Sequence, residues 1–423
     1  MPPRAPERTR RLAGPACAAA ALVAVTALPA AADGWTILGS LRQTFSADSN
    51  LQLAPGSDAS AGSTTIGNVT FSSANTRSNL SITPGFRASR FFGDAGQSNL
   101  IAPQLRAGFS HRVGTVTFNS GANLDIKPTT FSEFGAIDPT EPGFQPDPGD
   151  PQIDDGTDII PDVVTSDLND IRQNATRISF GANAGLGFQL DPRNTLNLGV
   201  NTSLVRFDRD ANSLSPSDSV GLSASLGHAV TTNTRATLAL SARRVEIDAA
   251  NPSDSNILNL STGVTSTVSE RLNFSGNLGL NFIDTNRSVG QDDTGIGFSF
   301  ALRANWRPTE DIGVGLNASQ SLQPSSQGDL RTNTNIGLSL SGRVNERERL
   351  SASFGVSQQR TSSTFGGGGS DHLVFSSIGY SWAILPDLSA NLQYGFRWRP
   401  DSGSEATSHD ISLTVSKSFT VRP

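Results

Sequence analysis

The sequence has few of the residues that build helices or disulfide frameworks. It contains one Cys (Cys17), one Met and two Lys (Lys127 and Lys417) among 423 residues, and only 17% are charged. Helical bundles, coiled coils and helix-rich cytosolic enzymes use many more straight-chain residues, so the composition argues against these classes. No stretch after residue 32 approaches 18 consecutive apolar residues, which argues against a transmembrane helix.

The first 32 residues have the layout of a secretory signal peptide. A basic head, Arg4–Arg11, precedes an apolar run, Ala16–Leu28, and small residues ending at Ala32 provide a cleavage site. Cys17 lies at the start of the apolar run and not after it, so a lipoprotein signal is not indicated. We expect cleavage near Ala32, which leaves residues 33–423 as one domain without Cys.

Loss of this segment removes four Arg and one Glu, so the net charge moves from −6 to −9. An acidic chain has no general electrostatic attraction to nucleic acid, and we expect no nucleic-acid partner. Four scattered His and no further Cys give no metal-site spacing, so we predict no metal and no cofactor. Triad residue types occur at Ser370–His372 and Ser408–Asp410, but adjacent strand residues point to opposite faces, and we predict no enzyme activity.

What is abundant is alternation with a period of two. In Ile296–Ala304 every second residue is apolar and the residues between are Gly, Ser, Ala and Arg; Val220–Gly227, Leu272–Phe282 and Leu388–Arg397 show the same pattern. Each predicts a strand with one apolar face and one small or polar face. Short polar connections alternate with long ones rich in Ser, Asp, Asn and Gly along the second half of the chain.

This layout is typical of transmembrane β-barrels. In hydrocarbon every backbone N–H and C=O must be paired, so strands can span only as a closed barrel. We predict an all-β fold, a single transmembrane antiparallel up-and-down β-barrel of about 18 strands. The segment 64–73 is a weak strand, and Pro84 and Pro103 interrupt their segments, so 16 strands is the alternative.

An acidic, Pro-containing segment, residues 128–171, lies between two predicted strands on the outer side. It carries many carboxylates and no Lys or Arg. Three interpretations stay open: a solvated surface loop, a constriction or plug inside the barrel, and calcium binding by Asp154, Asp155 and Asp158.

Alternation also places several arginines on the polar face, where they would line the lumen and steer anionic or hydroxyl-rich solutes. These lumen candidates are Arg42, Arg87, Arg106, Arg243, Arg303, Arg343 and Arg397. Closure would bring Arg397 toward Arg42. Three tryptophans, Trp306, Trp382 and Trp398, fall at strand ends, where barrels carry belts of aromatic residues at the membrane interfaces.

The chain resembles Gram-negative outer-membrane barrels over residues 33–423. Its final strand, Asp410–Phe419, resembles the C-terminal signal read by the barrel assembly machinery, although Thr-Val-Arg-Pro follows the aromatic residue here. Leu41–Leu51, with Asp48-Ser49-Asn50, and Ile82–Phe86 are similar to the opening of the beta-barrel porin type 2 family. Some members of that family are linked to exopolysaccharide loci. The resemblance implies an outer-membrane location and outer-membrane lipid as the surroundings.

The favoured hypothesis is a passive channel for small hydrophilic solutes, or for oligosaccharide, because barrels of 16–18 strands leave an aqueous channel. A structural or surface barrel plugged by residues 128–171 is the second hypothesis, and an outer-leaflet hydrolase is the third. The sequence does not determine the oligomeric state.

Overall fold

A computed structural model describes residues 34–51, 53, 55–56, 59–93, 99–128, 175–208, 214–248, 252–287, 293–324, 330–361, 370–400 and 405–421. Residues 1–33 and 129–174 lie outside these ranges. The signal peptide and its cleavage site near Ala32, and the segment that contains Asp154, Asp155 and Asp158, therefore remain predictions.

The described chain is organised as 18 antiparallel strands, most of them 13–16 residues long. They are β1 Trp35–Asp48, β2 Ser60–Ala74, β3 Ser78–Gly93, β4 Asn99–Val113, β5 Val116–Pro128, β6 Thr176–Gln189, β7 Asn194–Phe207, β8 Ser217–Ala229, β9 Thr234–Ile247, β10 Ser253–Ser269, β11 Leu272–Arg287, β12 Asp293–Trp306, β13 Ile312–Pro324, β14 Leu330–Arg343, β15 Glu348–Thr361, β16 Ser370–Leu385, β17 Leu388–Arg399 and β18 Ala406–Val421.

Each strand pairs with the strands before and after it in sequence, and the sheet closes on itself. Closure is made by β1 and β18, which pair from Ile37 opposite Val421 to Asp48 opposite Asp410. A closed sheet has no free edge, which is the condition for spanning hydrocarbon with strands. The prediction of 18 strands is confirmed, and the alternative of 16 is wrong because β2, the weak candidate, pairs fully with β1.

The two prolines are accommodated by local breaks in pairing. Backbone pairing of β2 and β3 lapses opposite Pro84 and resumes beyond it. There the hydroxyls of Thr70 and Thr83 bridge the strands at 3.0 Å. Pro103 lies in the outer half of β4, whose pairing with β5 covers only Leu105–Val113. Proline lacks a backbone donor, so it interrupts a ladder without ending the strand.

The short connections lie at one end of the barrel, where β1 begins and β18 ends. We call this the inner end. Side-chain oxygens stabilise these turns. Asn75 Oδ1 accepts from the N–H of Arg77 at 2.9 Å, and Asp191 Oδ1 accepts from the N–H of Arg193 at 2.7 Å. Asn345 repeats the contact at 2.8 Å. Such Asx turns replace a backbone turn, which is why Asn and Asp recur at these positions.

Most large apolar side chains point outward. Phe274, Leu278, Leu280 and Phe282 form one such exposed row on β11. The inward row of the same strand is Asn277, Gly279, Asn281, Ile283 and Thr285 by alternation. Lipid takes the place of the second layer that a soluble sheet would need, so most hydrophobic residues lie on the outward face.

Most of the buried apolar residues form two small clusters on the inner face. One contains Leu51, Leu53, Phe91, Leu373 and Ala406, and we call it the loop cluster. The other contains Val245, Ile247 and Ile257, with Ile283 and Leu322 packed against it, and we call it the seam cluster.

The final strand continues past the predicted aromatic end. Thr420 and Val421 pair with Leu38 and Ile37, so the residues after Phe419 extend the ladder with β1. Within the described ranges, no helix has the length and hydropathy that would carry it across a membrane.

Candidate functional site

The inner face of the barrel is the candidate site, because it gathers polar side chains from all strands around one space. Amide and hydroxyl groups bond across neighbouring strands there. Asn259 Nδ2 donates to Asn281 Oδ1 at 2.8 Å and lies 3.3 Å from Ser299 Oγ. These contacts link β10, β11 and β12 and leave a surface of hydrogen-bonding groups that suits hydrated solutes.

Three of the arginines predicted to line the lumen come together. Strand register places Arg42 of β1, Arg87 of β3 and Arg106 of β4 on the inner face, although 64 residues of chain separate the first from the last. Arg87 interacts electrostatically with Arg42, with Arg106 and with Asp125 of β5. We call Arg42, Arg87 and Arg106 the basic cluster.

One carboxylate accompanies the basic cluster. Asp125 accepts a hydrogen bond from Gln104 Nε2 at 3.0 Å, and its other oxygen lies 3.7 Å from Lys127 Nζ. Among the described residues that interact electrostatically with Arg87, one is a carboxylate, Asp125, and two are guanidinium groups, Arg42 and Arg106. Such a surface attracts an anion and offers guanidinium forks that match carboxylate or phosphate oxygens.

Arg397 lies elsewhere, in a structural contact. It is 3% exposed and bonds to Asp48 of β1 and, at 3.1 Å, to Ser408 Oγ of β18. Closure therefore brings Arg397 to β1 as expected, but to Asp48 and not to the Arg42 end of that strand. Its neighbour in the inward row, Arg399, is also buried and bonds to Asp371 at 2.5 Å.

The other three predicted arginines are spread around the barrel. Arg243 of β9 is half-buried and donates to Ser219 Oγ at 3.1 Å. Arg303 lies in the inward row of β12 opposite Asn317. Arg343 lies at the inner end and pairs with Asp311 of the turn before β13, with Nε 2.6 Å from the carboxylate. The seven arginines thus form one cluster and several separate contacts, and no single ring.

The segment after β1 folds onto the inner face, which the sequence analysis did not predict. Ser49 continues the ladder through backbone contacts with His409 at 2.9 Å, and Asn50 Nδ2 donates to the carbonyl of Thr407 at 3.2 Å. Leu51 and Leu53 then enter the loop cluster, with Leu53 only 1% exposed. Two Leu at alternate positions in a loop rich in Ser, Asp and Gly were the signal that could have shown it.

The tryptophans are exposed at strand ends. Trp306 and Trp382 lie near inner turns, and Trp398 lies near the outer end of β17, where its Nε1 is 3.4 Å from Glu405.

A row of charged side chains on the outward face lies near the outer end of the barrel. There Arg206 pairs with Asp218, and Arg244 bonds to Asp254 at 2.6 Å. Charges on the outward face are tolerated near an interface and costly at the membrane centre.

The residues of triad type do not form a triad. Ser408 faces inward to Asp48, whereas His409 points outward and bonds to the hydroxyl of Tyr394 at 2.8 Å. In β16, Asp371 bonds to Arg399, while His372 bonds to Gln358 at 3.0 Å. Groups of three His, Cys, Asp or Glu with metal-binding geometry do not occur among the described residues.

A family described as "Putative MetA-pathway of phenol degradation" matches residues 241–370, about a third of the chain. None of the curated proteins compared with the chain matches its sequence.

Among solved structures, OccAB3 of Acinetobacter baumannii is 10% identical, with 92% of this chain and 99% of that chain covered and a TM-score of 0.48. OpdO of Pseudomonas aeruginosa is 9% identical, with 92% and 97% covered and a TM-score of 0.49. OccK2 (OpdF) of Pseudomonas aeruginosa, solved with glucuronate, is 11% identical, with 92% and 98% covered and a TM-score of 0.47. At this identity, no residue role is carried over from them.

Proposed function

We propose that this chain is a bacterial outer-membrane channel for passive passage of small hydrophilic solutes, with a preference for anions. The observation that carries the proposal is the basic cluster on the polar inner face of a closed 18-stranded barrel. Barrels of this strand number leave an aqueous channel. Arg42, Arg87 and Arg106 come from strands on one side of the barrel, so an anion entering the lumen would meet them together.

The test is the reversal potential of single channels in a planar bilayer under a KCl gradient. The wild-type channel should favour Cl⁻, and R42A/R87A/R106A should lose most of that preference. The matched control, R193A/R206A/R244A, also removes three arginines, from an inner turn and from the outward face. It should keep the wild-type selectivity. Equal selectivity of the wild type and the first variant would refute the role of the basic cluster.

Solute class follows from a second measurement. Liposome swelling with glucose and with glucuronate compares two solutes of nearly equal size that differ in one carboxylate. The proposal expects faster entry of glucuronate, and R42A/R87A/R106A should bring the two rates together. A graded series of oligosaccharides then measures the largest sugar that passes. The resemblance to a family linked to exopolysaccharide loci is the reason to include oligosaccharides.

The plug hypothesis for residues 128–171 makes a different prediction. If the lumen is closed by that segment, the wild type is silent in the bilayer and a deletion of residues 129–174 conducts. We favour the open channel, because the inner face of the described strands carries mostly polar side chains, and its large buried apolar side chains lie in the two clusters.

Delivery to the outer membrane is also proposed. The first 32 residues would direct export with cleavage near Ala32, and the final strand would be read by the barrel assembly machinery. N-terminal sequencing of protein from outer membranes should begin at Asp33. Replacing Phe419 with Ala should lower the amount of heat-modifiable barrel, whereas the same change at Phe298 of β12 should not.

A further inference from the structure

The wall between β12 and β13 is not continuous. The two strands pair from Trp306 opposite Val314 to Phe300 opposite Gln320, and in the described residues the pairing ends there. Beyond that point β12 still pairs with β11 as far as Asp293, and β13 still pairs with β14 as far as Pro324. The seam between β12 and β13 therefore separates over the outer half of the barrel. The pairing of β4 with β5 also ends early, at Leu105 opposite Leu124, but there Gln104 donates across the gap to Asp125 of β5.

The local sequence explains the separation. The inward row of β12 ends in Gly295 and Gly297, and a Cβ at Gly295 would meet nothing within 4 Å. If the register continued, Leu322 of β13 would face lipid, like Phe300 and Gln320. It packs instead against the seam cluster beside Ile283. The end of β13 thus turns inward to a place that the glycine face of β12 leaves free.

A side chain replaces the missing backbone pairing at the point of separation. Gln320 Nε2 donates to the carbonyl of Phe298 at 2.8 Å. This contact satisfies one group on the edge of β12 just beyond the last paired residue, Phe300. Further out, the edges of β12 and β13 diverge.

The seam lies at a height where the outward face is apolar. Ile296 is 72% exposed and Phe298 is 48% exposed, and they continue the outward row of Leu302 and Trp306. On the neighbouring strand β11, the outward charge at this end is Asp284. It pairs with Thr294, which lies nearer the outer end than Ile296 and Phe298. A strand edge at this depth persists only where it lines a cavity or an aqueous space, because lipid offers no hydrogen-bond partner.

We propose that this seam is a lateral opening through which a small, uncharged apolar molecule passes between the lumen and the outer leaflet. Both sides of the seam are apolar: Ile257 and Ile283 inside, Phe282, Ile296 and Phe298 outside. The two rims, residues 294–300 and 319–322, contain no charged residue. An ion would find no partner on the rims themselves, which favours uncharged molecules over the anions that the basic cluster attracts. Arg243 lies beside Ile257 on the inner face, where it donates to Ser219.

The two paths are separate in space. In the strand order, β12 lies nine strands from β3, which is half-way around the barrel from Arg87. The lateral path therefore does not depend on the proposed anion path, and each can fail without the other.

A reversible closure of the seam tests the proposal in whole cells. The next register positions after Phe300 and Gln320 are Ser299 and Ser321, so S299C/S321C should close the seam when oxidised, or when bridged by a short bis-thiosulfonate. The matched control is S321C/N333C, which links strands already paired at those residues. Cells carrying either protein, or wild type, are given the apolar dye N-phenyl-1-naphthylamine and, separately, glucuronate.

Within S299C/S321C, oxidation should slow dye entry several-fold and a reductant should restore it, while the glucuronate entry of that variant is the same before and after oxidation. The control pair should change neither rate. Dye entry that is indifferent to closure overturns the lateral opening. Parallel loss of dye and glucuronate entry also overturns it, because the cross-link then acts on the lumen as a whole.

Photolabelling in lipid gives a second readout that needs no cysteine. An apolar diazirine probe, dissolved in a bilayer that holds the wild-type protein, should label Ile257 and Ile283 as well as the outward Phe298. Leu373 in the loop cluster is the control, since it is also apolar and inward but lies far from the seam, on β16, where it pairs with Ser357 of β15. Labelling of the outward residues alone would refute the proposal.

Discussion

Arg397 of β17 and Asp48 of β1 form a buried ion pair between residues 349 positions apart in sequence. Ser408 of β18, the strand between them, joins both side chains: its Oγ accepts from Arg397 and donates to Asp48. The three residues tie together the last two strands and the first. Closure of the barrel therefore has a side-chain contact on the inner face in addition to the ladder of β1 and β18.

Breaking this pair from one side should destabilise the barrel more than removing both charges. Asp48→Ala removes the nearer carboxylate from a buried guanidinium and leaves Asp410 at 4.0 Å from Arg397 Nε. Breaking a buried pair from one side costs about 3–5 kcal/mol, whereas D48A/R397M should cost clearly less. Urea denaturation of the protein in detergent, followed by heat-modifiable mobility on gels, measures both. If the double variant is the less stable of the two, the pair does not act as described.

Truncation of Leu53 should loosen the segment after β1. Leu53→Ala removes a buried side chain from the loop cluster and should cost about 2–5 kcal/mol. The segment should then move more freely at the lumen wall, which would appear as added noise in the open-channel current. Leu258→Ala, at an exposed outward position, is the control and should not change the noise of the open-channel current. Equal noise in the two variants would contradict the packing of Leu53.

A methyl group at Gly62 should be poorly tolerated. A Cβ there would lie 2.6 Å from ring atoms of Phe91, which is buried in the loop cluster and has little room to shift. We expect Gly62→Ala to cost about 1–3 kcal/mol in unfolding. Gly108→Ala, where a Cβ would meet nothing within 4 Å, should be neutral. The smaller side chain in G62A/F91L should recover part of the loss, and failure to do so would place the strain elsewhere.

The inner turn before β17 should respond to pH through Asp387. A hydrogen bond from Lys417 holds the pKa of the Asp387 carboxyl below its ordinary value. The stabilisation by this contact is therefore present above the ordinary Asp pKa and is lost as the pH falls through the lowered one. Carboxyl ¹³C NMR should show a low titration midpoint in the wild type and a higher one in Lys417→Met. Identical midpoints would show that Lys417 does not cause the shift.

The sequence by itself determined the class of fold. Side chains alternate strictly along a strand, so the rows in Ile296–Ala304 and Leu388–Arg397 already separate an apolar face from a polar one. Turn residues such as Asp191 and Asn345 act on their own neighbours, so the short connections could be read locally. The same alternation of side chains, here called parity, placed Arg42, Arg87 and Arg106 on the polar face of their strands.

Only the tertiary structure decided which of these residues meet. Arg42, Arg87 and Arg106 cluster because neighbouring registers bring them to similar heights, while Arg397 is drawn to Asp48 by the closure of the barrel. The inward fold of Leu51 and Leu53 and the seam beside Gly297 depend on side chains from strands distant in sequence. Parity is a property of one strand, whereas height, closure and seams depend on all 18 together.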